Sequence, residues 1–412
     1  MSNLKEISKL NTTIKINKNE KLIKAAKHDD LELTQTLLKN NADVNYVDEH
    51  YNSTLTIAAE HGNLKIVQIL LKNNVNINHI NDFGDDALRM AAKKGHTEVV
   101  NALLATNSKI INHKNWIGDS ALISAAQNGH VNTIKTLLKS GAYINDTNIF
   151  GDTALIWATE NGHTETVKVL ITKDNDINNH VNNIGDSALI IAARKGYLEI
   201  VDTLIKINSD VILHRTKFNN TALIIAAKNG HLDIVKILIK NDININRENN
   251  VGENALIWAA RNGHTEVINA LLTKNSDIIN HKTKYGNNAL IWAARNGHTE
   301  VINALLTKNS DIINHKTKYG NNALIWAAKE GHLDVVNTLI KSGIDLNHIN
   351  YFGDNALIWA AKEGHLDVVN TLIKNDIDIT HLDANGDSAL TWATRNGHLE
   401  IQNIINESNY WK

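Results

Sequence analysis

The stretch NALIWAARNGHTEVINALLTKNSDIINHKTKYGN, from Asn254 to Asn287, recurs letter for letter from Asn288 to Asn321. A tandem copy of this kind makes the unit of structure about one repeat long. Working outward, the Leu of an A-L-x-x-A-A-like segment recurs as Leu22, Leu55, Leu88, Leu122, Leu155, Leu189, Leu223, Leu256, Leu290, Leu324, Leu357 and Leu390, twelve anchors spaced by 33 or 34. A fixed period overrides the two or three domains that 412 residues would otherwise suggest, because a stacked array grows without splitting into separate cores. The expected organisation is an N-terminal extension over residues 1–19 and one array of about twelve repeats over residues 20–412, with no room for a second domain.

Inside a repeat, the residue two before the anchor is Ser53, Asp86, Ser120, Thr153, Ser187, Thr221, Asn254, Asn288, Asn322, Asn355 or Ser388, each able to cap a helix by accepting a bond from a first-turn amide. Repeat one has Glu20 there, a weaker start. Leu256, Ala259 and Ala260 then share one narrow apolar face, and the alanines let another helix approach closely. A glycine such as Gly263 stops this first helix. A second helix follows, with Glu266 in its first turn and Val267, Ile268, Leu271 and Leu272 on its buried side.

Nineteen residues past the anchor stand Asn41, Asn74, Asn107, Gly141, Asp174, Asn208, Asp242, Asn275, Asn309, Gly343, Asp376 and Asn409, types that tolerate the left-handed turn ending a helix. A β-prone pair such as Ile278-Ile279 and a turn closed by a glycine such as Gly286 then predict a hairpin-like finger. Turn positions absorb all 22 glycines, leaving none for a phosphate-binding loop.

Composition narrows the function. Cys 0 excludes disulfides, thiolate zinc sites and cysteine nucleophiles. A formal net charge of −2 gives no global reason to expect nucleic acid or an anionic membrane. MSNLKEISKLNTTIKINKNE at the start has no apolar signal core, and no apolar run approaches the ~20 residues of a membrane span. A soluble, intracellular chain is expected; specialised export signals leave no mark in composition. The ends read as capping repeats, with Gln402, Asn403, Asn406 and Glu407 making the last helix polar and Asp29 replacing the first turn glycine.

A period of 33 built from two short helices and a turn finger resembles the ankyrin repeat, and GHLDVVNTLI (Gly331 to Ile340) with G-D-x-A-L-x-x-A-A openings is similar to that family throughout. The usual T-P-L-H opening is altered: the Thr site holds Asn, Ser, Thr or Asp, the Pro site Ala, and the His site mostly Ile. Proline is favoured but not required at a first helical position. The resemblance implies an all-α repeat solenoid, a curved elongated stack with first helices lining a concave groove, second helices on the convex back and β-hairpin fingers projecting toward the groove. It also implies a non-catalytic, monomeric scaffold that binds a partner protein, with neither cofactor nor metal.

Two histidine ladders weigh on that expectation. His96, His130, His163, His231, His264, His298, His332, His365 and His398 follow the inter-helix glycine, and the family uses this position to bond the turn backbone. A second series, His79, His113, His180, His214, His281, His315, His348 and His381, opens the finger. Rungs a repeat apart are roughly 10 Å apart, too far to share one zinc ion.

The most informative side chains are Trp157, Trp258, Trp292, Trp326, Trp359 and Trp392, all two residues past the anchor. Three residues further on stand Arg261, Arg295, Lys329, Lys362 and Arg395, placing a cation on the indole's side of the helix. These eleven residues form the candidate partner-binding stripe, since Trp and Arg dominate interaction hot spots. Packing between repeats is the competing reading of the same indoles. A nucleic-acid binder using stacked tryptophans and basic residues is the alternative function. Ser, His and acidic residues recur in every repeat, whereas a catalytic constellation would depart from the repeat at one place.

Overall fold

In the computed structural model, which describes residues 18–410, each first helix begins where the sequence supplies an oxygen to cap it. Asn254 Oδ1 accepts from Ile257 N at 3.0 Å, and Ser53, Asp86, Ser120, Thr153, Ser187, Thr221, Asn288, Asn322, Asn355 and Ser388 do the same for their own helices. Losing such a cap costs about 1 kcal/mol. Glu20 departs from the pattern. It lies inside a helix that covers residues 18–27 and so caps nothing. The rest of the expected extension, residues 1–17, lies outside the described residues.

The chain forms two compact halves, one ending at Val211 and one beginning at Ile212. In the first, Thr54–Glu60, Ala87–Lys94, Ala121–Gln127, Ala154–Glu160 and Ala188–Lys195 pack side by side in chain order. Their partners, from Leu31–Lys39 to Leu198–Ile207, form a parallel second row. In the second half, Ala222–Lys228, Ala255–Arg261, Ala289–Arg295, Ala323–Lys329, Ala356–Glu363 and Ala389–Arg395 make the first row, and Leu232–Lys240 to Leu399–Tyr410 the second. The core lies between the rows. Leu256, Ala259, Ala260, Val267, Ile268, Leu271 and Leu272 are all buried, as their spacing predicts. Each large apolar side chain buried this way contributes about 1.5–3 kcal/mol.

The residue nineteen past the anchor behaves in two ways, and repeat length decides which. In the 33-residue repeats Asn41, Asn74, Gly141, Asp242, Gly343 and Asp376 have positive φ and end the second helix as expected. In the five 34-residue repeats that precede another, Asn107, Asp174, Asn208, Asn275 and Asn309 are extended instead, with φ between −144° and −152°. A 3₁₀ helix follows each of them, Ser276–Asn280 being typical. Asn275 Oδ1 caps it by accepting from Asp277 N at 3.0 Å. Ile278-Ile279 is therefore helical, not a strand. Both side chains are buried, which a strand's alternation would forbid and a tight helical turn permits. Asn409 lies within the last helix, Leu399–Tyr410, and not at a turn beyond it.

The fingers are also not regular hairpins. Among the described residues they carry isolated antiparallel bridges, Val47 with Ser53, Lys114 with Ser120, Val181 with Ser187, Arg215 with Thr221 and Leu382 with Ser388. Their legs are too short for a ladder, and side chains hold the loops closed instead. Asn249 Oδ1 accepts from Val251 N and Glu253 N, while its Nδ2 donates to Asn220 Oδ1 of the preceding finger at 3.2 Å. At the ends, Asp29 has φ 57°, taking the conformation of the glycine it replaces, and Asn403, Asn406 and Glu407 are exposed. No helix among the described residues is long and apolar enough to cross a membrane.

Candidate functional site

In the second half, the stripe of tryptophans and cations is an alternating ladder. Each indole stands two residues past its anchor, in the middle of a first helix, and is half-buried. Lys228 Nζ lies 4.4 Å from the Trp258 ring centroid, Arg261 Cζ 4.3 Å from Trp292, Arg295 Cζ 4.3 Å from Trp326, Lys329 Nζ 3.9 Å from Trp359 and Lys362 Nζ 3.8 Å from Trp392. Within one helix the same pairing is longer: 5.0 Å for Arg261 on Trp258 and 5.5 Å for Arg295 on Trp292 and for Lys329 on Trp326. Lys362 on Trp359 at 4.9 Å and Arg395 on Trp392 at 5.3 Å follow suit. Same-helix spacing pairs each Trp with the cation three residues on; the closer cation belongs to the preceding repeat.

The histidines that follow the turn glycines fix this register. A carbonyl can only accept, so each ring donates from Nε2: His264 to Lys228 O, His298 to Arg261 O, His332 to Arg295 O, His365 to Lys329 O and His398 to Lys362 O, at 2.9–3.2 Å. Every acceptor belongs to a ladder cation. A given repeat thus holds the cation before it twice, by imidazole on the backbone and by indole on the side chain. His281, His315, His348 and His381 donate to the glycine carbonyl of the preceding finger at 2.7–2.8 Å, locking finger to finger.

Charge on the ladder is partly compensated. Arg261 pairs with the buried Glu253 at 3.4 Å, Arg295 with Glu330 at 3.4 Å, and Arg395 with Asp387. Among the described residues no carboxylate lies within ion-pair distance of Lys228, Lys329 or Lys362. Burial raises the Asp354 carboxyl above the usual range, with Lys362 and Lys329 pulling the other way.

A family model for ankyrin repeats (3 copies) matches residues 3–81, 22–115, 55–148, 122–215, 207–282 and 275–350, and a second, for ankyrin repeats (many copies), matches residues 357–401. This chain belongs to the ankyrin repeat family. Comparison with curated proteins returned no match. Ankyrin repeats are in general non-catalytic modules of protein–protein interaction.

The ankyrin array brings together five of the six tryptophans singled out in the sequence. Trp157 stands apart: the positions that supply cations elsewhere are Gln127 in the repeat before it and Glu160 in its own. Same-helix reasoning also passed over Lys228, because its own repeat has Ile225 in the Trp position; only the stacking order gives it an indole to cover. A second feature was legible but unread. Five residues before the anchor, Phe83, Ile117, Phe150 and Ile184 in the first half and Phe218, Val251, Tyr285, Tyr319 and Phe352 in the second are all exposed at the finger tips.

Proposed function

We propose that this ankyrin array is a non-catalytic, monomeric, intracellular scaffold that binds a partner protein through the cation–indole ladder of repeats eight to twelve and the fingers beside it. The observation that carries the reading is the run of six successive cations, Lys228, Arg261, Arg295, Lys329, Lys362 and Arg395, each held over an indole. A preorganised cation loses little side-chain freedom on binding, which is where long basic residues otherwise lose affinity. Trp157 has no cation over it and is not part of the ladder; its candidacy as a contact rests on its indole alone.

A nucleic-acid reading draws less support. Each ladder ring already carries two cations, so the π-faces that bases would stack on are occupied by the chain itself. The test is capture of partners by the native array and by one carrying Trp292→Ala and Trp326→Ala, with both shown to be folded by circular dichroism. Loss of a protein partner in the variant supports the ladder as the binding surface. Unchanged partner affinity with lowered stability makes it packing alone.

A further inference from the structure

The exact duplication places two K-T-K fingers next to each other, four lysines across one repeat step. Lys282 and Lys284 from repeat eight and Lys316 and Lys318 from repeat nine line one cavity of about 530 Å³, which Tyr351 also lines. The threonine between each pair points inward. Thr283 and Thr317 are buried, and their hydroxyls accept from Asn287 N and Asn321 N at 3.2 Å, which turns all four lysines out to solvent. The fingers are locked in register, Lys318 N donating to Tyr285 O at 2.9 Å and Tyr351 N to Tyr319 O at 3.1 Å. Like charges are therefore held side by side by backbone that cannot relax to separate them.

Nothing nearby neutralises them. Lys114 pairs with Asp146, Lys195 with Glu160 and Lys274 with Asp242, but among the described residues none of these four lysines has a carboxylate within ion-pair distance. At the matching positions the finger before holds Glu248 and Asn250 and the finger after holds Ile349 and Tyr351, so the charge is confined to this pair.

We infer that the fingers of repeats eight and nine dock an acidic, extended peptide segment of a partner protein. Four cations over one repeat step of roughly 10 Å suit about three extended residues at ~3.3 Å each, carrying closely spaced carboxylates, so a hexapeptide spans the site with residues to spare. All four are lysines, compact point charges that pair with carboxylates in any orientation. The exposed rings of Tyr285, Tyr319 and Tyr351 flank the row and offer apolar surface to the peptide's stems. A net charge of −2 removes the long-range attraction a nucleic acid would exploit.

This rests on the protein-binding reading above but on a different surface from the indole ladder, and the test separates the two. Fluorescence anisotropy of the full chain is recorded at low salt with labelled hexaglutamate, hexaglutamine and hexathymidylate. Hexaglutamate is expected to bind, to weaken as salt is raised, and to bind at least tenfold more weakly to the variant K282Q/K284Q/K316Q/K318Q, while W292A/W326A binds it as the native chain does. The inference is overturned if the quadruple variant, folded by circular dichroism, binds hexaglutamate unchanged. It is overturned equally if hexaglutamine binds as well, or if the oligonucleotide binds more tightly than the peptide.

Discussion

Trp392 Nε1 donates to Asp383 Oδ2 at 2.9 Å, the one ladder indole whose N–H has an acceptor among the described residues. The other four, Trp258, Trp292, Trp326 and Trp359, hold theirs buried and unpartnered. The difference lies nine residues upstream of each ring. Asp383 has two oxygens, so Oδ1 can close its finger by accepting from Asn385 N and Asp387 N while Oδ2 serves the indole. Asn350 has one oxygen, taken by Phe352 N and Asp354 N, and Thr317 has one hydroxyl, taken by Tyr319 N and Asn321 N.

Asp383→Asn keeps the finger closed but removes the acceptor, and should cost about 1–3 kcal/mol in a urea titration near neutral pH. Burial alone would raise the Asp383 carboxyl, but bonds from Asp387 N, the Trp392 indole and Asn385 N, with Lys362 nearby, bring it below the ordinary range. A depressed carboxyl stabilises the fold above its unfolded pKa and loses that contribution as pH falls through the folded value. The gap between native chain and variant should therefore be full above about pH 4 and close below it. A gap that does not depend on pH contradicts the account.

Gly263 and Gly386 share a φ of +79°, yet only one faces a neighbour. A Cβ at Gly263 would lie 2.8 Å from His298 Nδ1, whereas nothing stands within 4 Å of one at Gly386. Gly386→Ala should cost about 1 kcal/mol, the left-handed strain alone. Gly263→Ala should cost about 1–2 kcal/mol more, because it also pushes His298 off the Arg261 carbonyl. Equal shifts in the unfolding midpoint would deny the histidine clamp its role.

Arg89 is a singular departure from the repeat, a buried guanidinium where most repeats have Ile. It is ion-paired with Asp85, its Nε donates to Ser124 Oγ at 3.4 Å, and its Nη1 has no partner. Burial pushes its pKa down to about 10 against the attraction of Asp119. Arg89→Ile should cost about 3–5 kcal/mol by leaving Asp85 buried and unpaired. Adding Asp85→Asn should restore most of it, since Asn52, Asn220 and Asn321 fill that site elsewhere. No recovery in the double variant would mean that the guanidinium contributes more than compensation of one carboxylate.

In the ladder, a double-mutant cycle between Arg261→Met and Trp292→Phe should give a coupling of about 0.5–1 kcal/mol. The cycle between Arg261 and Trp258 should give less, because 5.0 Å separates that pair and 4.3 Å the other. The reverse order would return the cation to its own helix and undo the inter-repeat clamp.

The letters of this chain determine everything that depends on neighbours in sequence. The period, the caps at positions such as Asn254, the buried alanines and the left-handed glycines all follow from bonds that close within one turn or one helix face. Even the split between a left-handed turn and a 3₁₀ helix could have been read from the spacing of 33 or 34, since the extra residue in Asn275-Ser276-Asp277 is what fills the turn. Helical periodicity, however, reports only which residues share a helix. Whether Arg261 leans back over Trp258 or forward over Trp292 depends on how far apart two first helices stand. Buried alanines on each first helix leave room for its neighbour to approach closely. The same stacking gives Lys228 its indole, leaves Trp157 without a cation and gathers four lysines into one cavity. Contacts between repeats are a property of assembly, and only the tertiary structure decided them.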